Sequence, residues 1–335
     1  ASRAFLKDGR APGEGERMTN RDLAKVYRAI GKEGAKAFYE GWIAGEIVRY
    51  SESVGGLITL RDLKQHTADW VEPVSASYRG YDVWELPPNG QGIAALQILN
   101  VLEQHDIAAM GHNSADFIHL YTEAKKLAFA DRAKFYADPQ VEKNLPVAEL
   151  ISEPYAKRQA KRIDMAKAAL RVPAGDPRLA KGDTIYLTAV DKDRNVVSLI
   201  QSLFATFGSG LVVPDTGIVL QSRGSLFTFE EDHPNVFAPR RRPFHTLCPV
   251  IVLSNDLPWL ALGTPGGDGQ THTIVQVLNN IQLFGMSPQE AIDAPRLRRL
   301  GDGSLAIEDR VPQEVRDALE AYVARRKASE PDSFT

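Results

Sequence analysis

A run of amphipathic helices followed by a run of short strands predicts an α+β protein. Three observations carry this. Apolar residues recur at three-to-four spacing through the first half of the chain, the pattern turns to that of a strand at Thr184, and the strands that follow come as neighbours rather than alternating with helices. The 335 residues are 43% apolar and 25% charged, which suits a packed globular core.

In order, helical spacing covers Leu23 to Ile30 and Phe38 to Val48. Thr59-Leu60-Arg61-Asp62 pairs a capping oxygen with an acid in the first turn and starts a further helix. Val74 to Tyr78 and Tyr81 to Leu86 flank Arg79-Gly80 as a strand pair, closed by Pro87-Pro88-Asn89-Gly90. Two longer helices follow, Ile93 to Gln104 and Ala115 to Phe135. Val172 to Asp183 is turn-rich and polar and is expected as a linker. Thr184 to Val190 and Val196 to Leu203 then form a strand pair around Asp191 to Asn195. Short strands are expected at Gly217 to Leu220, Pro249 to Leu253 and Trp259 to Leu262. A Gly-rich loop, Gly263 to Gly269, opens a helix from Thr271 to Phe284, and Ser287-Pro288-Gln289-Glu290 is a capping box.

Composition excludes several classes of function. The 40 basic and 43 acidic residues leave a net charge of −3, so no nucleic-acid partner is expected. No apolar run reaches the roughly 18 residues a membrane span needs. Ala1 to Phe5 has no signal-peptide pattern, and the chain lacks an initiating Met, as a fragment or processed product would. The compartment stays open between periplasm and cytoplasm. Cys248 is the single cysteine, and no histidine has a Glu partner at metal-ligand spacing, so no disulfide, metal or cofactor is expected.

Two features could carry chemistry. The loop Thr264 to Gly269 lacks the Lys-Ser/Thr ending of a P-loop, but its backbone N–H groups at a helix start suit an oxyanion. Thr184 by itself is an ordinary strand residue. Its context lifts it, because it follows a polar linker and begins the change of pattern. Were the peptide bond between Asp183 and Thr184 cut, Thr184 would carry a hydroxyl beside a free α-amine. An α-amine, with a reference pKa of about 7.7–8, can take the hydroxyl's proton near neutral pH.

Gly182 to Asn195 resembles the start of the small subunit of γ-glutamyltranspeptidases. The resemblance continues through Ser202, Thr206 to Gly210, Arg242-Pro243, Thr264-Pro265-Gly266-Gly267 and Ala291 to Arg296. Upstream, Gly55 to Thr59, Tyr78 to Tyr81, Pro87-Pro88 and Glu123 to Arg132 look like the C-terminal part of the large subunit. The resemblance implies a four-layer αββα sandwich of the N-terminal-nucleophile (Ntn) hydrolases, incomplete in this chain. It implies one precursor giving two subunits, 1–183 and 184–335, that form one composite domain. Self-cleavage between Asp183 and Thr184 would free the nucleophile to cleave a γ-glutamyl amide, with transfer to water or an amine.

By the same resemblance Ser202 bonds the Thr184 hydroxyl, and Gly266 and Gly267 form the oxyanion hole, each donor contributing about 3–4 kcal/mol. Thr246 falls where a Ser contacts the substrate α-carboxylate, and His245 replaces another Ser. Phe204, Arg223 and Leu226 stand where typical members hold the glutamate ammonium with amide and acidic side chains. Arg223 suits a carboxylate better, because Arg grips carboxylates bidentately. A glutaryl amidase of the cephalosporin-acylase kind is therefore the alternative substrate reading. A truncated, non-catalytic remnant is the alternative of another class.

Overall fold

The computed structural model describes residues 2–169, 183–300 and 304–329. The expected linker therefore lies outside the described residues, apart from Asp183. Helices make up 40% and strands 17%, the mixture the patterns predict. The chain divides into two compact units.

The first unit comprises residues 1–70 and 203–222. Its helices are α1 (Ser2–Phe5), α2 (Arg21–Glu33), α3 (Ala35–Tyr39), α4 (Trp42–Ser53) and α5 (Leu60–Gln65). Asn20 caps α2 by accepting from the Leu23 amide, and Thr59 with Asp62 closes the capping box of α5. Val26, Ala37, Ile43, Ile47 and Val213 form a small apolar core. The single helix expected from Phe38 to Val48 is broken at Glu40-Gly41. A Cβ on Gly41 would sit 2.6 Å from the Ala37 carbonyl oxygen, so the chain turns where only glycine fits. Gly217 to Leu220 is not a strand and keeps only an isolated bridge between Val212 and Val219. Thr216 explains this: its hydroxyl donates to Val213 O at 2.9 Å and accepts from the Ile218 amide at 3.1 Å. Those bonds offer the backbone a turn in place of a ladder.

The second unit comprises residues 71–202 and 223–335. It runs β1 (Val74–Tyr78), β2 (Tyr81–Glu85), α6 (Gly92–Leu102), α7 (Ile107–Met110), α8 (Ala115–Phe135), α9 (Val147–Leu150) and α10 (Glu153–Ala160). Then come β3 (Asp183–Val190), β4 (Val196–Phe204), β5 (Val250–Ser254), β6 (Leu257–Leu262), α11 (Gly269–Gln282), α12 (Pro288–Asp293), β7 (Leu297–Arg299), β8 (Leu305–Ile307) and α13 (Gln313–Ser329). The last two residues of β4 fall in the first unit.

One sheet has the order β1-β2-β5-β6, all antiparallel. Arg79 and Gly80, at φ 52° and 82°, make the tight turn between β1 and β2. Every residue of α6 is buried; its two polar side chains are hydrogen-bonded inside, Gln97 to Asp131 and Asn100 to Ile151 O. It packs on β1, β2, α8, α10 and α11. The core joins Val83, Val250 and Val252 of the sheet to Ile93, Leu96 and Leu99 of α6 and to Ile274 and Leu278 of α11. Each such side chain contributes about 1.5–3 kcal/mol on burial. β3 and β4 pair separately, and so do the three-residue strands β7 and β8.

Candidate active site

The β3–β4 pair positions Thr184. Alternate residues of a strand share a face, and here the hydroxyls pair across it. Thr184 Oγ1 donates to Ser202 Oγ at 3.1 Å, and the Tyr186 hydroxyl and Ser198 Oγ share a hydrogen bond of 2.8 Å. The Tyr186 ring also lies flush against Gly263, where a Cβ would come within 2.3 Å of it. Gly263 directly follows β6 and precedes the Gly266-Gly267 loop by three residues. The candidate nucleophile strand thus abuts the segment that leads into the candidate oxyanion loop. Asp183 is the first residue of β3.

In that loop Gly266 and Gly267 have φ 130° and 56°, open to glycine and strained for other residues. The Gly266 carbonyl accepts from the Gly269 amide at 2.9 Å, and the Gly267 carbonyl accepts from the Gln270 amide at 3.1 Å. These bonds start α11. In a trans peptide the N–H points opposite to the carbonyl, so the Gly267 N–H is turned away from α11. The helix N-terminus adds a potential that favours negative charge there.

Arg223 and Thr246 are brought together. Arg223 opens a 3-10 turn, Arg223–Leu226, is 7% exposed, and donates from Nη1 to Thr246 Oγ1 at 3.1 Å. Burial lowers its pKa to about 10, which leaves it charged at neutral pH. Leu226 packs against the apolar core. His245 Nδ1 accepts from the Leu247 amide at 3.2 Å. Burial, and then the Arg223 charge, hold the imidazole at about 4, so it is neutral at physiological pH. Phe204 lies in the first unit, 4% exposed, with φ 78°. Arg241 Nη1 donates to Pro234 O at 3.0 Å. Among the described residues no group of three or more His, Cys, Asp or Glu could hold a metal. Among them, too, no helix is long and apolar enough to cross a membrane.

Sequence reasoning passed over the segment Asn89 to Gly92, apart from its turn chemistry. The Asn89 side-chain amide donates to Pro243 O at 2.6 Å, and the Asn89 carbonyl accepts from the His245 amide at 2.9 Å. The His245 ring fills the space of a Gly90 Cβ at 2.8 Å, and the Glu85 carboxyl fills that of a Gly92 Cβ at 2.6 Å. Gln91 Nε2 donates to Thr246 O at 2.8 Å and to Gly267 O at 2.9 Å. The only signal in the sequence is the density of glycines at positions 90 and 92, which marks a close backbone approach.

This site sits on the fold of a known class. A crystal structure of cephalosporin acylase from Bacillus halodurans superposes with a TM-score of 0.87 at 36% identity, over 96% of this chain and 58% of that one. The chain therefore carries part of the Ntn-hydrolase acylase sandwich. The sequence profile described as Gamma-glutamyltranspeptidase matches residues 1–334, and the chain belongs to that family. It is 41% identical to the glutathione hydrolase-like YwrD proenzyme of Bacillus subtilis, over 87% of this chain and 54% of the relative. It is 35% identical to the glutathione hydrolase proenzyme of Escherichia coli, over 87% of this chain and 53% of the relative. The chain spans about half the length of the curated relatives it matches.

Proposed function

We propose that this chain carries the catalytic centre of a self-processing N-terminal threonine amidohydrolase that cleaves γ-glutamyl amides. The observation that supports this best is the Thr184–Ser202 hydroxyl pair, set on a strand whose Tyr186 packs against the segment entering the Gly266-Gly267 loop. The names of the relatives, proenzymes of glutathione hydrolases, agree with it.

Processing begins when Thr184 Oγ1 attacks the Asp183 carbonyl carbon. The acyl group moves from nitrogen to oxygen, and water hydrolyses the ester. This releases an Asp183 carboxylate and a free Thr184 α-amine, and divides the chain into subunits 1–183 and 184–335. In turnover the α-amine takes the hydroxyl proton as Oγ1 attacks the substrate amide. The oxyanion accepts from the Gly266 and Gly267 N–H groups, each contributing about 3–4 kcal/mol. The ammonium gives its proton to the leaving amine, and water or a second amine resolves the ester. Ser202 orients the Thr184 hydroxyl. Arg223 and Thr246 bind a carboxylate of the acyl group.

The test is a denaturing gel and a γ-glutamyl anilide assay on the complete polypeptide and on Thr184→Ala. Cleavage before Thr184 and turnover are both lost in the variant. Processing that survives the substitution would sink the proposal.

Arg223 also favours a second reading, a glutaryl amidase. Its charge suits the distal carboxylate of a glutaryl group and opposes a glutamate ammonium, and Leu226 offers that ammonium no acid. Parallel turnover of γ-glutamyl and glutaryl anilides separates the two, and a strong preference for γ-glutamyl removes the second.

A further inference from the structure

We infer that Gln91 is a positioning residue that sets the oxyanion loop against the acyl-carboxylate site, an inference resting on the function proposed above. Gln91 is fully buried, and one amide makes all three contacts. Its NH2 group bridges Gly267 O at 2.9 Å and Thr246 O at 2.8 Å, joining segments 155 and 176 residues away in sequence. Its carbonyl accepts from Arg132 Nη1 at 2.7 Å.

Arg132 decides which way the amide faces. A guanidinium only donates, so the Gln91 atom it meets is the oxygen, and the NH2 must point to the two carbonyls. The guanidinium is itself fixed. It is ion-paired with Asp268, the residue after Gly267, and stacks 3.9 Å over the Phe129 ring. Arg132, through the Asp268 carboxylate, and Gln91, through Gly267 O, therefore hold the Gly267–Asp268 segment at two points.

The consequence for the reaction is geometric. Gly267 is the least restrained residue type, and its φ of 56° is one of several conformations open to it. The Gln91 bond limits that freedom at Gly267 O, and with it the freedom of the adjoining Gly266–Gly267 peptide, whose N–H is one of the two proposed donors. Oxyanion donors must already be aimed when charge develops, or reorganisation raises the barrier. The bond to Thr246 O adds a second constraint. It fixes the distance between the loop that takes the oxyanion and the residue whose hydroxyl sits on Arg223. An acyl group of set length then presents its amide carbon at the loop.

The experiment uses Gln91→Glu and Gln91→Met in the full chain, with thermal melts as the folding control. The carboxylate of Gln91→Glu faces two carbonyls, while Gln91→Met keeps the volume and removes every bond. Rates are read on whichever anilide, γ-glutamyl or glutaryl, the parent turns over. Affinity is read for a boronic acid bearing the same acyl chain, which forms a tetrahedral anion on Thr184 Oγ1. We expect kcat to fall about 10²-fold, with KM within about threefold, and the boronate to weaken by the same factor as kcat/KM.

Parental kcat in a variant that melts like the parent overturns the inference. Lost kcat with unchanged boronate affinity also overturns it, since the donors would then be correctly aimed. Failure of both variants to fold overturns it too, by placing Gln91 in the scaffold. Thr184→Ala in the same assays separates the two levels. If it still turns over, the proposed function falls. If it is inactive while the Gln91 variants match the parent, only the Gln91 inference falls.

Discussion

Arg223 and Glu85 are both buried, yet their surroundings leave one charged and the other neutral. Arg223 is lowered only to about 10 and remains a cation beside Thr246. Replacing it by Met removes a charged hydrogen-bond donor, an interaction of about 1.5–3 kcal/mol. Arg223→Met is expected to raise KM for carboxylate-bearing anilides at least about 10-fold with little change in kcat, read from initial rates. Glu85 is 1% exposed, and burial raises its carboxyl to about 8, so it is protonated at pH 7. The folded state then holds a proton that the unfolded state has already released. The stability this proton gives is complete below about pH 4.5, declines as pH rises, and is gone above about 8. The slope is at most about 1.4 kcal/mol per pH unit. Glu85→Gln cannot lose the proton, so melts at pH 5, 7 and 9 should show its advantage over the parent growing with pH. A constant difference across that range would contradict the assignment.

At the scale of elements, local chemistry was legible wherever hydrogen bonds close within a few residues. The Ser287 capping box, the Arg79-Gly80 turn and the span of α8 from Ala115 to Phe135 follow the sequence directly. Gly41 and Thr216 did not announce themselves. At Gly41 the decisive contact is a clash with Ala37 that no periodicity reports, and at Thr216 a hydroxyl competes with the strand ladder. Gly263 is the element-scale feature that matters for the site, because the Tyr186 ring occupies its side-chain space. Gly263→Ala must push that ring, and the strand bearing Thr184, away from β6. We expect a lower melting temperature together with slowed cleavage before Thr184, followed by melts and timed gels. Normal processing in a variant with a lowered melting temperature would show that Tyr186 packs there without placing Thr184.

At the scale of the molecule, the larger unit has one apolar core that runs from its sheet through α6 to α8 and α11. Cys248 lies in that core, fully buried, and desolvation raises its thiol well above the ordinary range. A thiol held in this way is inert, since the thiolate is the reactive species. Cys248 is therefore expected to resist a disulfide reagent in the native protein and to react as this unit unfolds. Its reaction should follow the denaturant transition seen by circular dichroism. Labelling well below that transition would mean that the core opens locally.

The sequence by itself determined the α+β class, the strand pair that carries Thr184, the glycine loop before α11 and the family. Each depends on short-range pattern or on a motif that stays together along the chain. Tertiary structure alone decided that Arg223 meets Thr246, that Glu85 is sealed in the core, and that Gln91 joins Thr246 to Gly267. Those contacts cross from 23 to 176 residues of chain. A side chain's partner at that distance is set by how the sheet and helices pack, and a lone glutamine between two glycines carries no trace of it.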